Sequence, residues 1–117
     1  MRRTLALSAA LVLVASAASA HAVLKKSTLP NEIAAGSPRS VTLSFNSAVE
    51  PGLSRVVLVD AGKSQREIAL HAGAAPNEIA LELPGLAAGA WGLRYKVLAV
   101  DGHVTENLLR FTVTSGN

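Results

Sequence analysis

Three histidines and one aspartate are the residues of this sequence best suited to chemistry: His21, His71, His103 and, two positions before the last, Asp101. With the chain cut ahead of His21, that residue offers two nitrogen donors, its free α-amine and its ring Nδ1. Together they close a chelate on one metal ion, an arrangement called a histidine brace. An α-amine has a pKa of about 7.7–8.0, so a strong Lewis acid displaces its proton near neutral pH. Among divalent first-row ions, Cu(II) forms the strongest complexes with nitrogen and oxygen donors, in a tetragonal arrangement. In Asp101-Gly102-His103, residues i and i+2 of an extended segment project to the same side. One carboxylate oxygen and one imidazole can thus face the same point. Added to the brace they give three nitrogens and one oxygen, a fitting equatorial set for Cu(II).

Each piece also has an ordinary explanation. A histidine after a cleavage site can simply be the residue that follows the cut. Asp-Gly between two apolar runs is among the strongest hairpin signals, which would leave His103 solvated. His71 lies beside Ala72, Gly73 and Ala74 and reads as a surface residue of a loop. No nucleophile-elbow pattern and no Gly-rich phosphate loop ahead of a helix accompanies these residues. Glu50, Glu67, Glu78 and Glu82 read as solvated strand and turn positions.

The cut itself is legible. Arg2 and Arg3 form a positive n-region, Leu5 to Ala15 an apolar h-region, and Ala18-Ser19-Ala20 the small-x-small pattern cleaved by signal peptidase. That apolar run is shorter than the roughly 20 residues a bilayer span needs. Residues 1–20 are therefore expected to be a signal peptide and residues 21–117 one exported, periplasmic domain. Without Arg2 and Arg3, nine basic residues stand against eight acidic ones, so the net charge of +3 falls to +1. With no arginine cluster and few aromatics, a nucleic-acid surface has little support. The chain holds no cysteine, and its single methionine is Met1. Thiolate and thioether ligands are thereby excluded from the domain, and any metal must be held by nitrogen and oxygen.

The elements that must position these donors read as strands. Candidates are Ala22–Lys26, Ser40–Phe45, Arg55–Asp60, Gln65–Leu70, Glu78–Leu83, Trp91–Val100 and Glu106–Thr114, separated by turns such as Pro51-Gly52, Ala61-Gly62, Pro84-Gly85 and Ala88-Gly89. Val41, Leu43 and Phe45 alternate with Thr42 and Ser44; Leu93, Tyr95, Val97 and Ala99 alternate with polar partners. Period two with one polar face marks antiparallel strands covering a core. About seven such strands in one small domain predict an all-β Greek-key sandwich or small barrel. Trp91 and Tyr95 read as core or core-edge aromatics, and the alanine-rich tracts around Ala34 and Ala87 as candidates for a helical turn.

Read in order, several segments resemble CopC-type copper resistance proteins. They are His21-Ala-Val-Leu-Lys-Lys-Ser-Thr-Leu-Pro30, Val41-Thr-Leu-Ser-Phe45, Gly89-Ala-Trp91, Tyr95 through His103 and Phe111-Thr-Val113. The most specific parts are the histidine after the cleavage site and the Asp-x-His before the final strand. The resemblance implies an immunoglobulin-like β-sandwich in the periplasm holding one Cu(II) through His21 (amine and Nδ1), Asp101 and His103. It also implies delivery to, or action beside, an inner-membrane CopD-like partner, by a monomer that is not an enzyme. Some members carry a methionine-rich loop for Cu(I); this chain lacks one and resembles the Cu(II)-only subtype. Relatives often place an acid shortly after the phenylalanine of the second strand, where Asn46 and Ser47 stand here.

Two other functions compete. A histidine-brace copper oxygenase needs an extended, usually aromatic substrate face, and this chain has four aromatic residues in all. A metal-free immunoglobulin-like interaction module would use Asp101-Gly102 only as a turn.

Overall fold

The computed structural model describes residues 22–115. Nine strands follow one another: β1 (Leu24–Ser27), β2 (Glu32–Ala34), β3 (Arg39–Phe45), β4 (Arg55–Asp60), β5 (Gln65–Ile68), β6 (Leu70–Ala72), β7 (Glu78–Leu83), β8 (Gly89–Leu98) and β9 (Val104–Thr114). They form two sheets, ordered β1-β3-β7-β6 and β2-β9-β8-β4-β5. The chain crosses between the sheets after β1, β2, β3, β5 and β7, which gives the sandwich its Greek-key path. The expected all-β sandwich is what forms.

Alternation sets which side chains meet between the sheets. Val41, Leu43, Phe45, Ile79, Leu81 and Leu83 come from one sheet, and Val56, Leu58, Leu93, Tyr95, Val97, Phe111 and Val113 from the other; all are buried. Burying an aliphatic or aromatic side chain of this size contributes about 1.5–3 kcal/mol. No polar or charged residue is buried among the described residues. The phenol of Tyr95 enters this core edge-on to Phe45, with ring centroids 5.5 Å apart and planes at 72°. Trp91 stays at the margin, donating its indole N–H to the Ala87 carbonyl at 2.9 Å.

Four local details depart from the sequence expectation. Glu32–Ala34 is a short strand parallel to β9 rather than a helical turn; three residues are too few for a period to show, and Ile33 alone is buried. The single strand expected over Gln65–Leu70 is two. β5 pairs with β4 and β6 with β7, so the chain changes sheets at Ala69. The tract around Ala87 has no helical turn, and the one helical piece among the described residues is the 3-10 turn Pro51–Leu53. The connection between the last two strands lies two residues earlier than expected, with β8 ending at Leu98 and β9 starting at Val104, where their ladder closes on the pair Leu98–Val104.

Candidate metal centre

Asp101 and His103 lie in the five-residue connection from β8 to β9. Its shape is set by backbone bonds: the Ala99 N–H donates to the His103 carbonyl at 2.8 Å, and the Gly102 N–H to the Ala99 carbonyl at 2.9 Å. Gly102 makes the turn possible with a φ of 97°, a conformation side-chain-bearing residues rarely adopt. The turn read from Asp-Gly is therefore present, and it also brings the two candidate ligands together. Asp101 Oδ1 accepts from the His103 backbone N–H at 3.1 Å and lies 3.2 Å from His103 Nδ1. Both side chains are about half exposed.

This contact fixes the chemistry of each group. The His103 backbone N–H first, and then its ring, hold the Asp101 carboxyl below the usual carboxylate range. Asp101 is thus a carboxylate at any pH where an imidazole can bind a metal. A carboxylate lying against an imidazole restricts how the ring can turn.

The start of the described chain runs to the same pole of the sandwich. Ala22 is fully buried in the core, and Leu24 pairs with Phe45. Val23 and Leu24 line a cleft of about 450 Å³ together with Tyr95, Val104, Thr105 and Asn107. The chain entering β1 therefore passes beside the first residues of β9, next to His103. Two buried hydroxyls at this pole, Ser47 Oγ and Thr105 Oγ1, have no hydrogen-bond partner among the described residues. Burial pushes the Tyr95 phenol up, opposed by a hydrogen bond with the Asn107 side chain.

Of the residues singled out from sequence, Asp101 and His103 are brought into contact. His21 and the signal segment 1–20 lie outside the described residues. His71 sits on β6 rather than in a loop, exposed, with Nδ1 3.3 Å from the Ala72 carbonyl. Among the described residues no three of His, Cys, Asp and Glu converge on a point, so His71 does not join Asp101 and His103. A cleft of about 630 Å³ beside Trp91, on the outer face of the five-stranded sheet, shares no residue with the Asp101–His103 loop. Sequence reading did not find the tie between Asn46 and Val23, because a side chain bonding to a distant backbone leaves no periodic trace. In the structure Asn46 Oδ1 accepts from the Val23 N–H at 2.8 Å.

A family model for the CopC domain matches residues 24–114. The chain belongs to the CopC family. This CopC domain is similar in structure to CopC from Methylosinus trichosporium OB3b, with a TM-score of 0.73 and 30% identity over 83% of this chain and 97% of that one. It is also similar to PcoC, a methionine-rich copper resistance protein from Escherichia coli, with a TM-score of 0.61 and 24% identity over 81% and 100% of the two chains. A superoxide reductase (neelaredoxin) from Ignicoccus hospitalis shares the sandwich alone, at a TM-score of 0.53 and 15% identity over 79% and 81%. No curated protein matches the sequence. Membership in the CopC family places the domain among copper resistance proteins.

Proposed function

We propose that this protein is an exported Cu(II)-binding domain that sequesters or carries copper in the periplasm. One Cu(II) is held by the α-amine and Nδ1 of His21, a carboxylate oxygen of Asp101 and the imidazole of His103. The observation that carries this reading is the Asp101–His103 contact, 3.2 Å between Oδ1 and Nδ1, at the pole where the chain enters β1. The donor set suits the ion: nitrogen and oxygen only, with no cysteine and no methionine beyond Met1. The same absence separates this chain from the methionine-rich PcoC and favours Cu(II) over Cu(I).

In this reading the protein's residues bind and orient; they transform nothing. Asp101 supplies negative charge that is already ionised, and it lies against the His103 ring. The brace forms only after export, since cleavage after Ala20 frees the α-amine. Copper is then held in the compartment where the domain is released. An inner-membrane CopD-like protein is the proposed recipient, served by the domain as a monomer.

The test compares Cu(II) titration of the naturally processed protein with that of a version carrying one extra residue before His21. Tight one-to-one binding by the processed form, sharply weakened in the extended form, is the expected result. Equal tight binding by both would make His21 a cleavage remnant, and negligible binding by both would make the domain a metal-free interaction module.

A further inference from the structure

The β1–β3 ladder ends one residue short of where the site needs it. Phe45, the last residue of β3, donates its N–H to the Asn77 carbonyl at 2.8 Å, and its own carbonyl accepts from Asn77 Nδ2 at 2.7 Å. The register between β1 and β3 has already slipped between Leu24 and Lys26. Both backbone groups of Val23 are nonetheless satisfied, and by one residue. The Asn46 N–H donates to the Val23 carbonyl at 2.9 Å, while Asn46 Oδ1 accepts from the Val23 N–H at 2.8 Å. The side chain of Asn46 thus continues the ladder after β3 has turned away.

The residues that follow hold the other half of the site. The Ala48 carbonyl accepts from the Val100 N–H at 3.1 Å, Val49 bridges to Ala99, and the Glu50 N–H donates to the Leu98 carbonyl at 2.8 Å. Residues 46–50 therefore form a splint. One end grips the chain two residues after His21, and the other grips the turn just before Asp101.

Resting on the Cu(II) reading above, we infer that Asn46 is a positioning residue of the copper site. Among the described residues its hydrogen bonds run to the Val23 backbone. Its amide fixes the backbone of Val23, two residues after His21, when the domain folds rather than when copper arrives. Ordering a backbone residue is costly, and a chelating arm that is already ordered binds more tightly for the same donors. A merely structural role, tying down the end of β1, would cost stability and leave affinity alone.

Three proteins separate these cases, each processed to begin at His21: wild type, Asn46→Ala and Asn46→Asp. The readouts are the Cu(II) Kd, the electron paramagnetic resonance spectrum of the copper-loaded protein, and amide hydrogen exchange at Val23 in the copper-free protein. Asn46→Ala is expected to weaken Cu(II) binding about five- to tenfold, the scale of one hydrogen bond and a loosened arm. Its spectrum stays that of wild type, because the donors are unchanged, while exchange at Val23 accelerates. Asn46→Asp keeps an oxygen that accepts from the Val23 N–H, and restores both slow exchange and tight binding. A tightly binding wild type matched in Kd by Asn46→Ala overturns the positioning role and leaves the copper reading standing. A wild type that binds no better than the chain extended ahead of His21 overturns the copper reading, and this inference falls with it.

Discussion

Alanine in place of Gly102 should weaken copper binding through backbone shape alone. Gly102 holds a φ of 97°, and nothing lies within 4 Å of where a Cβ would stand, so the substitution creates no clash. An L residue in such a region costs about 1–3 kcal/mol. The stiffer unfolded chain returns about 0.4–1 kcal/mol of that, leaving a net loss of roughly 1–2 kcal/mol. The loop will relax to another shape, and copper must draw Asp101 and His103 back together. A penalty near 1.4 kcal/mol raises the apparent Kd about tenfold. Gly36 supplies the matched control. Its φ is 77°, its surroundings are equally open, and its N–H bonds Leu86 at the far end of the ten-residue β8. Denaturant unfolding of the copper-free proteins should show similar losses for Gly102→Ala and Gly36→Ala. Cu(II) titration should show a raised Kd for Gly102→Ala only. Equal Kd values in the two variants would refute the idea that the loop's shape sets affinity.

Asp101→Asn keeps an oxygen to accept from the His103 N–H, so the fold should persist. Cu(II) affinity should fall by at least the roughly 10- to 100-fold lost when a metal ligand's supporting partner is removed, measured by competition titration with circular dichroism as the fold check. Affinity should climb steadily from about pH 5 to pH 8, because the amine and the rings must shed protons to bind. Asp101, held low by the His103 N–H, stays ionised throughout. Its stabilising contribution is present above the ordinary carboxylate range and is lost only as pH falls through its lowered value. A flat Kd over that range would mean that the amine is no ligand. Tyr95→Phe removes the phenol that bonds Asn107 and should cost about 1 kcal/mol, read as a lower Tm. Because the folded phenol is raised, wild type gains from it below about pH 10 and loses that gain as pH rises further; the variant should lack this alkaline limb.

The sandwich was legible because its long strands alternate cleanly. Val41, Leu43 and Phe45 on β3, and Leu93, Tyr95 and Val97 on β8, turn to the core as their period demands. What stayed hidden was short or non-local. The three residues of β2 carry one buried side chain, and nothing within Gln65–Leu70 marks Ala69 as the point where the chain leaves one sheet for the other. Of the site, the local pair Asp101 and His103 could be read from a spacing of two. The splint could not, since Asn46 meets Val23 across 23 residues of chain. Asn46 and Ser47 stood out in sequence only as the place where relatives often carry an acid, and the bond of Asn46 to Val23 was not visible there.

All four strands at the sheet margins are short. β1 and β5 have four residues, β2 and β6 have three, while every strand between them has at least six. Lys25 and Lys26 on β1, Glu32 on β2, and Arg66 and Glu67 on β5 add charge along those margins. Such borders give another polypeptide little unpaired backbone to extend. Edge-to-edge pairing between copies is thereby disfavoured. A partner that joins these sheets by adding a strand finds three or four residues of edge at each rim.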